Sequence, residues 1–207
     1  MFKEVFTGAV LAVALAGSAA AAPVLTFTGT GETQLLTATN DLGFGGQTIQ
    51  VINGHDKSLL NGLAVSGPAK ITFTYLGFEA GNSNQAVSLG GGMGSFMNGV
   101  ASVGDTISAV QAAAGLIEFI FQTLNVPFVS AIANHGIATP ASKDFAIGYL
   151  IESATSAVVM FDDLFHGDRD FDDLGMRITV SPIPLPAGGL LLLGGLGALA
   201  FARRRRA

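Results

Sequence analysis

The chain of 207 residues has no cysteine, no tryptophan, only two tyrosines and just 12% charged residues. Each shortage excludes something. Without cysteine there is no disulfide, no thiol nucleophile and no thiolate metal ligand, so an exported domain of this sequence must rest on its apolar core, with a metal as the other available staple. With no tryptophan, and only Tyr75 and Tyr149 as phenols, the usual platforms for stacking sugars are scarce. Basic residues are scarcer still. Between residues 23 and 186 only Lys57, Lys70, Lys143, Arg169 and Arg177 face fourteen acidic residues, a net charge of −9 that the whole-chain value of −5 conceals. So acidic a stretch argues against nucleic acid and anionic lipid as partners, both of which require a basic patch.

Catalytic motifs are missing too. His55, His135 and His166 are far apart and form no H-E-x-x-H zinc pattern, and no serine sits in a G-x-S-x-G elbow. The run GGGMGS at residues 90–95 lacks the G-K-[ST] ending of a phosphate loop and reads as a flexible loop. No repeat of 20 to 50 residues is present, which excludes solenoids and propellers.

The two ends are unlike the rest. Residues 1–22 carry Lys3, an apolar run over 9–16 and a small-residue end, which together read as a secretory signal peptide for the Sec translocon and signal peptidase, cut after Ala20, Ala21 or Ala22. Residues 181–207 hold three pieces in fixed order: prolines at 182–187, an uncharged Gly/Leu/Ala run, and four arginines. From Leu185 to Ala202 no charge occurs, and as a helix this stretch would cover about 27 Å against a bilayer core of about 30 Å. Pro182, Pro184 and Pro186 stop any helix upstream of Ala187, which leaves a transmembrane segment over 187–202. Arg203, Arg204, Arg205 and Arg206 stay cytoplasmic by the positive-inside rule, placing all that precedes the tail outside the inner membrane.

Ile183, Pro184, Leu185, Pro186 and Ala187, followed by the Gly/Leu run and the arginines, resemble the PEP-CTERM sorting signal in its V-P-L-P-A variant, with Ile183 in place of valine. The resemblance implies a Gram-negative bacterium, transient anchoring in the inner membrane, cutting near the prolines by an exosortase, and release to the cell surface or extracellular matrix. An ordinary single-pass anchor is the plainer alternative, but it has no need of the proline motif.

Residues 23–180 are one domain's worth of chain. Period-2 alternation recurs along them: Ile71, Phe73 and Tyr75 against Thr72 and Thr74; Ile117, Phe119 and Phe121 against Glu118 and Gln122; Phe145, Ile147, Tyr149 and Ile151 against Ala146, Gly148 and Glu152; Met176, Ile178 and Val180 against Arg177 and Thr179. Asn53-Gly54, Asn61-Gly62 and Asn98-Gly99 read as turns. The expected fold is all-β, a single β-sandwich of jelly-roll type, with residues 106–116 also suited to a short helix.

One internal stretch is unusual. Residues 161–176, FDDLFHGDRDFDDLGM, put Asp162, Asp163, Asp168, Asp170, Asp172 and Asp173 within twelve residues, offset only by Arg169. Repulsion strains such a run unless water or a cation relieves it. Asp168, Asp170 and Asp172 alternate as in the opening half of a calcium loop, although Asp173 and Thr179 stand where an EF-hand needs Gly and Glu. The order Asp168-Arg169-Asp170-Phe171-Asp172-Asp173-Leu174 is similar to the acidic hairpin that ends many PEP-CTERM ectodomains, and this resemblance implies Ca²⁺ bound by Asp168, Asp170 and Asp172 or Asp173, with Asp162 or Asp163 reaching over. The alternative is a solvated hairpin whose aspartates bond turn amides. Phe161, Leu164, Phe165 and Phe171 read as its core anchors.

The expected protein is thus an exported, non-enzymatic surface or matrix protein, structural or adhesive, associated with exopolysaccharide or biofilm. Calcium would order its acidic hairpin or bridge it to an anionic exopolysaccharide. A carbohydrate-binding module and a secreted hydrolase are the rivals; any two of six clustered aspartates could flank a glycosidic bond, which makes that signal weak.

Overall fold

The computed structural model describes residues 21–54, 61–88, 94–124, 130–136, 144–164 and 167–183, together with 194, 195 and 197. Ala21–Ile183 form one compact unit; the second comprises the two chain ends, of which only the last three residues named are described, all helical. No helix among the described residues is long and apolar enough to cross a membrane. Residues 1–20 of the expected signal peptide, the motif residues Pro184, Leu185, Pro186 and Ala187, and Arg203 to Arg206 lie outside the described residues.

The chain runs through β1 (Leu25–Thr28), β2 (Glu32–Leu35), β3 (Thr48–Asn53), β4 (Gly62–Val65), β5 (Ala69–Gly77), β6 (Asn84–Ser88), β7 (Gly94–Met97), β8 (Thr106–Gln111), β9 (Gly115–Leu116), β10 (Phe119–Thr123), β11 (Ser130–Ala133), β12 (Ala146–Ser153), β13 (Ser156–Asp162) and β14 (Leu174–Ser181). They form three antiparallel sheets, ordered β1-β4-β9, β11-β10-β6-β7 and β2-β3-β12-β13-β14-β5-β8. The alternation seen in the sequence decides which faces are buried. Ile71, Phe73 and Tyr75 on β5, Ile147 and Tyr149 on β12, and Met176 and Ile178 on β14 turn inward to meet Phe119 and Phe121 of β10. Across this core Phe121 stacks on Phe161 at 5.0 Å between ring centroids and Phe73 meets Phe119 edge-on at 6.4 Å.

The large sheet is covered on its other face as well. Leu36, Ile49, Val51, Ala146, Val158, Met160 and Phe171 form a second apolar cluster there, brought together by the 36–47 and 163–173 connections. The near-continuous apolar run of β13 follows from burial on both faces, as it does in any central strand so covered. Gly148 lies beneath Phe171, and a Cβ at that position would stand 2.6 Å from Ile49 Cδ1 and 3.0 Å from Phe171 Cδ1.

Three local expectations are corrected. Residues 106–116 form β8, a turn and β9 rather than a helix, because the edge of β5 offers hydrogen bonds from Thr74–Thr106 to Ala69–Gln111 that a helix would forgo. Gly62 is the first residue of β4 and not a turn: Asn134 lies against it, accepting from Leu63 N at 2.9 Å and donating to the Leu63 and Ile117 carbonyls, each at 2.7 Å. Gly94 and Ser95 belong to β7, not to a loop.

The two ends of the unit have different contents. Leu25 N donates to Ala154 O and Val180 N to Thr155 O, so the chain enters and leaves beside the β12–β13 turn. The acidic connection between β13 and β14 sits at the opposite end, about 24 Å away along the eight residues of β14.

A candidate acidic cation site

The acidic residues are delivered by the pairing of β13 with β14, from Ser156↔Thr179 to Phe161↔Leu174. Asp162 closes β13 with 0% exposure, its Oδ1 accepting from Leu164 N at 2.9 Å. Asp173 precedes β14 and its Oδ2 accepts from Asp163 N at 2.6 Å. Asp163 is held from the neighbouring sheet: Asn84 Nδ2 at 2.7 Å and Asn82 Nδ2 at 3.0 Å both donate to its Oδ2. The acidic end of the large sheet is thereby tied to the start of β6.

The middle of the connection folds over the outer face of the sheet. Arg169 and Phe171 adopt left-handed backbone, with φ of 58° and 59°. A bulky residue rarely does so, and the conformation persists because its surroundings over-determine it. Phe171 is buried in the second core, while the carbonyls around it are taken by distant side chains: Gln34 Nε2 donates to Arg169 O and Asn40 Nδ2 to Asp170 O, both at 2.7 Å. Asp41 N donates to Asp172 Oδ2 at 2.6 Å, and Arg169 pairs with Glu32 at 3.0 Å.

This arrangement leaves charge poorly compensated. Asp162 Oδ2 and Asp172 Oδ1 are buried and accept no hydrogen bond from the described residues, in side chains exposed by only 0% and 1%. Burial first, then the charges of Asp168, Asp170 and Asp163, push Asp162 up to about 7. Burial, and then the Asp172 carboxyl beside it, lift Asp170 to about 7. Burial, Asp163, Asp162 and Asp170 together raise Asp173 to about 8. Asp168 is exposed.

The six aspartates therefore fall into an ordered arrangement that alternation alone does not describe. Asp162, Asp163 and Asp173 stand at the strand ends, Asp170 lies within electrostatic reach of Asp162, Asp172 and Asp173, and Asp168 stands outermost. Among the described residues no three acidic or histidine side chains are drawn together as a ready metal cage. The donors fit a hard cation: they are all oxygens, mostly carboxylate, and two of them are buried without a donor. Of the expected core anchors, Phe161 and Phe171 are buried; Leu164 is not an anchor, because it stands 57% exposed beyond the end of β13, and Phe165, like His166, lies outside the described residues. Sequence reasoning missed Asn40, Asp41, Asn82 and Asn84. Asn82 and Asn84, two residues apart at the start of a strand, carry the one local signal, a pair of amides on one side.

A separate cleft of about 500 Å³ opens between β8 and β9, lined by Ile71, Phe73, Ala109, Ile117 and the buried Ser88, with none of the aspartates in its lining.

No protein-family model, no curated protein and no solved structure matches this chain.

Proposed function

We propose that this is an exported surface or extracellular-matrix protein, processed by an exosortase at Ile183, Pro184, Leu185, Pro186 and Ala187, non-enzymatic, and structural or adhesive in association with exopolysaccharide or biofilm. Its architecture is read as a β-sandwich of jelly-roll type, supported by the phenylalanine contacts between the seven- and four-stranded sheets. Ca²⁺ orders the acidic connection or bridges it to an anionic polymer. The observation that carries the calcium reading is the burial of Asp162 and Asp172, each with an oxygen that meets no donor among the described residues. In this reading Asp162, Asp170, Asp172 and Asp173 supply the carboxylates, with Asp163 and Asp168 at the margin; no three of them are drawn together among the described residues, so an ion would have to gather them. The ion would supply positive charge beside Arg169, whose guanidinium is already paired with Glu32.

Two measurements test the two halves of the reading. Adding millimolar Ca²⁺ to chelated protein at matched ionic strength raises the melting temperature; an unchanged melting curve removes calcium from the account. The intact mass and C-terminal peptide map of protein recovered from its host end near residues 182–187. A chain ending at Ala207 and confined to the inner membrane means a permanent anchor instead.

A further inference from the structure

Alternation along β6 turns Asn84, Ala86 and Ser88 inward, and all three are buried. Asn84 accepts from Thr123 and donates to Asp163, whereas the Ser88 hydroxyl, in a side chain only 4% exposed, has no hydrogen-bond partner among the described residues. Its neighbours across the sheet, Phe119 and Gly94, offer no polar side chain. For the fold alone, alanine would serve as well or better, because an unpaired buried hydroxyl is costly. Ser88 lies in the wall of the cleft beside β8. Small residues make room there: Ala109 and Ser88 both line it, on inner surfaces that elsewhere carry Phe73 and Phe119, and Ala112, Ala113 and Ala114 of the β8–β9 turn add exposed methyl groups at its margin. Gln111, also in the lining, is tied to the turn by its bond to Gly115 O at 3.1 Å.

We propose that this cleft binds a neutral, mainly aliphatic molecule with one oxygen function, hydrogen-bonded to the Ser88 hydroxyl. At about 500 Å³ the cleft is within the size range of small-molecule sites, and it has their usual make-up of apolar walls with one well-placed polar group. Ile71, Phe73 and Ile117 favour hydrocarbon, and a lone hydroxyl can satisfy one oxygen. Charge decides against an acid: the lining holds no basic residue, its one ionisable member is Glu118, and the domain's net charge is −9. It decides against an amine as well, because Glu118 is exposed, and an ion pair in water contributes little. No aspartate lines the cleft, so the proposal is independent of the calcium reading.

The test uses the full chain in lipid discs and a methyl octanoate probe carrying a diazirine at its far end. Light-induced adducts are mapped by peptide mass spectrometry, and label on residues 187–202 serves as a reference for partition into the bilayer. The expected result is label on residues 71–73 and 109–118 that unlabelled methyl octanoate removes and that octanoate and octylammonium leave in place. Ser88→Ala should weaken competition by the ester about three- to tenfold, while the melting temperature of the ligand-free protein stays unchanged or rises. Ala113→Trp, at the exposed margin, should remove the cleft label without lowering the melting temperature; if that variant fails to fold, Ser88→Ala decides alone. Label confined to residues 187–202 overturns the site. Competition by octanoate or octylammonium as strong as that by the ester overturns the neutral ligand. Wild-type competition in Ser88→Ala, or a lower melting temperature, overturns the assignment of the hydroxyl to a ligand.

Discussion

Asp162→Asn separates a buried charge from a merely solvated one. Asp162 is fully buried and its carboxyl sits at about 7, some three units above the usual aspartate value of 3.8, with burial the leading cause. At 1.36 kcal/mol per unit, holding that carboxylate ionised inside the fold costs about 4 kcal/mol. Because its folded value is raised, the native state binds the proton more tightly than the unfolded chain. Stability is therefore lost as pH rises from about 4 to about 7, and the loss is complete above that. Asparagine keeps the bond from Leu164 N and carries no charge, and its amide faces the remaining carboxylates in place of a repelled oxygen. In chelator the variant should match wild type near pH 4 and gain on it steadily, reaching a melting temperature higher by about 10 °C at pH 8. In millimolar Ca²⁺ the order narrows or reverses, because wild type gains from the ion, by about 2.7 kcal/mol at a hundredfold excess over its dissociation constant, and the variant does not. The assay is thermal unfolding across pH with and without chelator. A variant destabilised equally at pH 4 and pH 8 would refute the reasoning, since it would mean that the carboxylate is already compensated within the fold.

Other positions yield sharper structural tests. Gly148→Ala forces a methyl against Ile49 and Phe171, costs about 1–3 kcal/mol, and weakens calcium affinity by displacing the residue that pins the acidic connection, both readable by calorimetry. Asn134→Ala strips three hydrogen bonds from the buried Leu63 and Ile117 backbone and lowers stability by about 3 kcal/mol, measured by denaturant unfolding. Arg177→Met removes the two-pronged pair with Glu152, at 2.8 Å and 2.7 Å; this partly exposed pair is worth about 1 kcal/mol. Arg177 hydrogen bonding holds Glu152 below its usual value, so this contribution is present in wild type at neutral pH and is lost as pH falls through the carboxylate range, where the two proteins converge.

The all-β class was legible because its signal is local. Phe145, Ile147 and Tyr149 alternate with Ala146 and Gly148 and are buried in the main core, whereas Ile151, expected on the same face, is 40% exposed where the β12–β13 register shifts. The short apolar segment at 106–116 was ambiguous for the opposite reason: its few alanines and valines suit either state, and only the free edge of β5, distant in sequence, decides for a strand. The aspartates announced themselves by density. Which of them bear the strain did not, because that depends on Asn40, Asp41, Asn82 and Asn84, whose bonds to the connection span from 79 to 131 residues and leave no periodic trace. Alternation put Asp168, Asp170 and Asp172 on one side; the left-handed backbone at Arg169 and Phe171 replaces that picture with one in which Asp172 is buried and Asp168 exposed.

Phe171 explains why the acidic connection and the second core must respond together. Its ring fills the outer face of the large sheet over Gly148 and Ile49, while on either side of it stand Asp170, raised first by burial and then by its hydrogen-bonded contact with the Asp172 carboxyl, and Asp172 itself. Relaxing the repulsion by moving the two carboxyls apart would draw Phe171 from its seat and expose Leu36, Ile49 and Met160 beneath. At about 25 cal/mol per Å² of apolar surface, losing a phenylalanine's burial costs about 2–3 kcal/mol, which opposes that movement. On the calcium reading, a cation between the carboxyls would remove the conflict without moving the ring. Chelation at pH 8 should therefore loosen this outer core before the inner one, seen as early amide exchange in residues 36–47 and 168–173 while Phe73 and Phe121 remain protected; simultaneous exchange of both cores would show that the carboxyls exert no such pull.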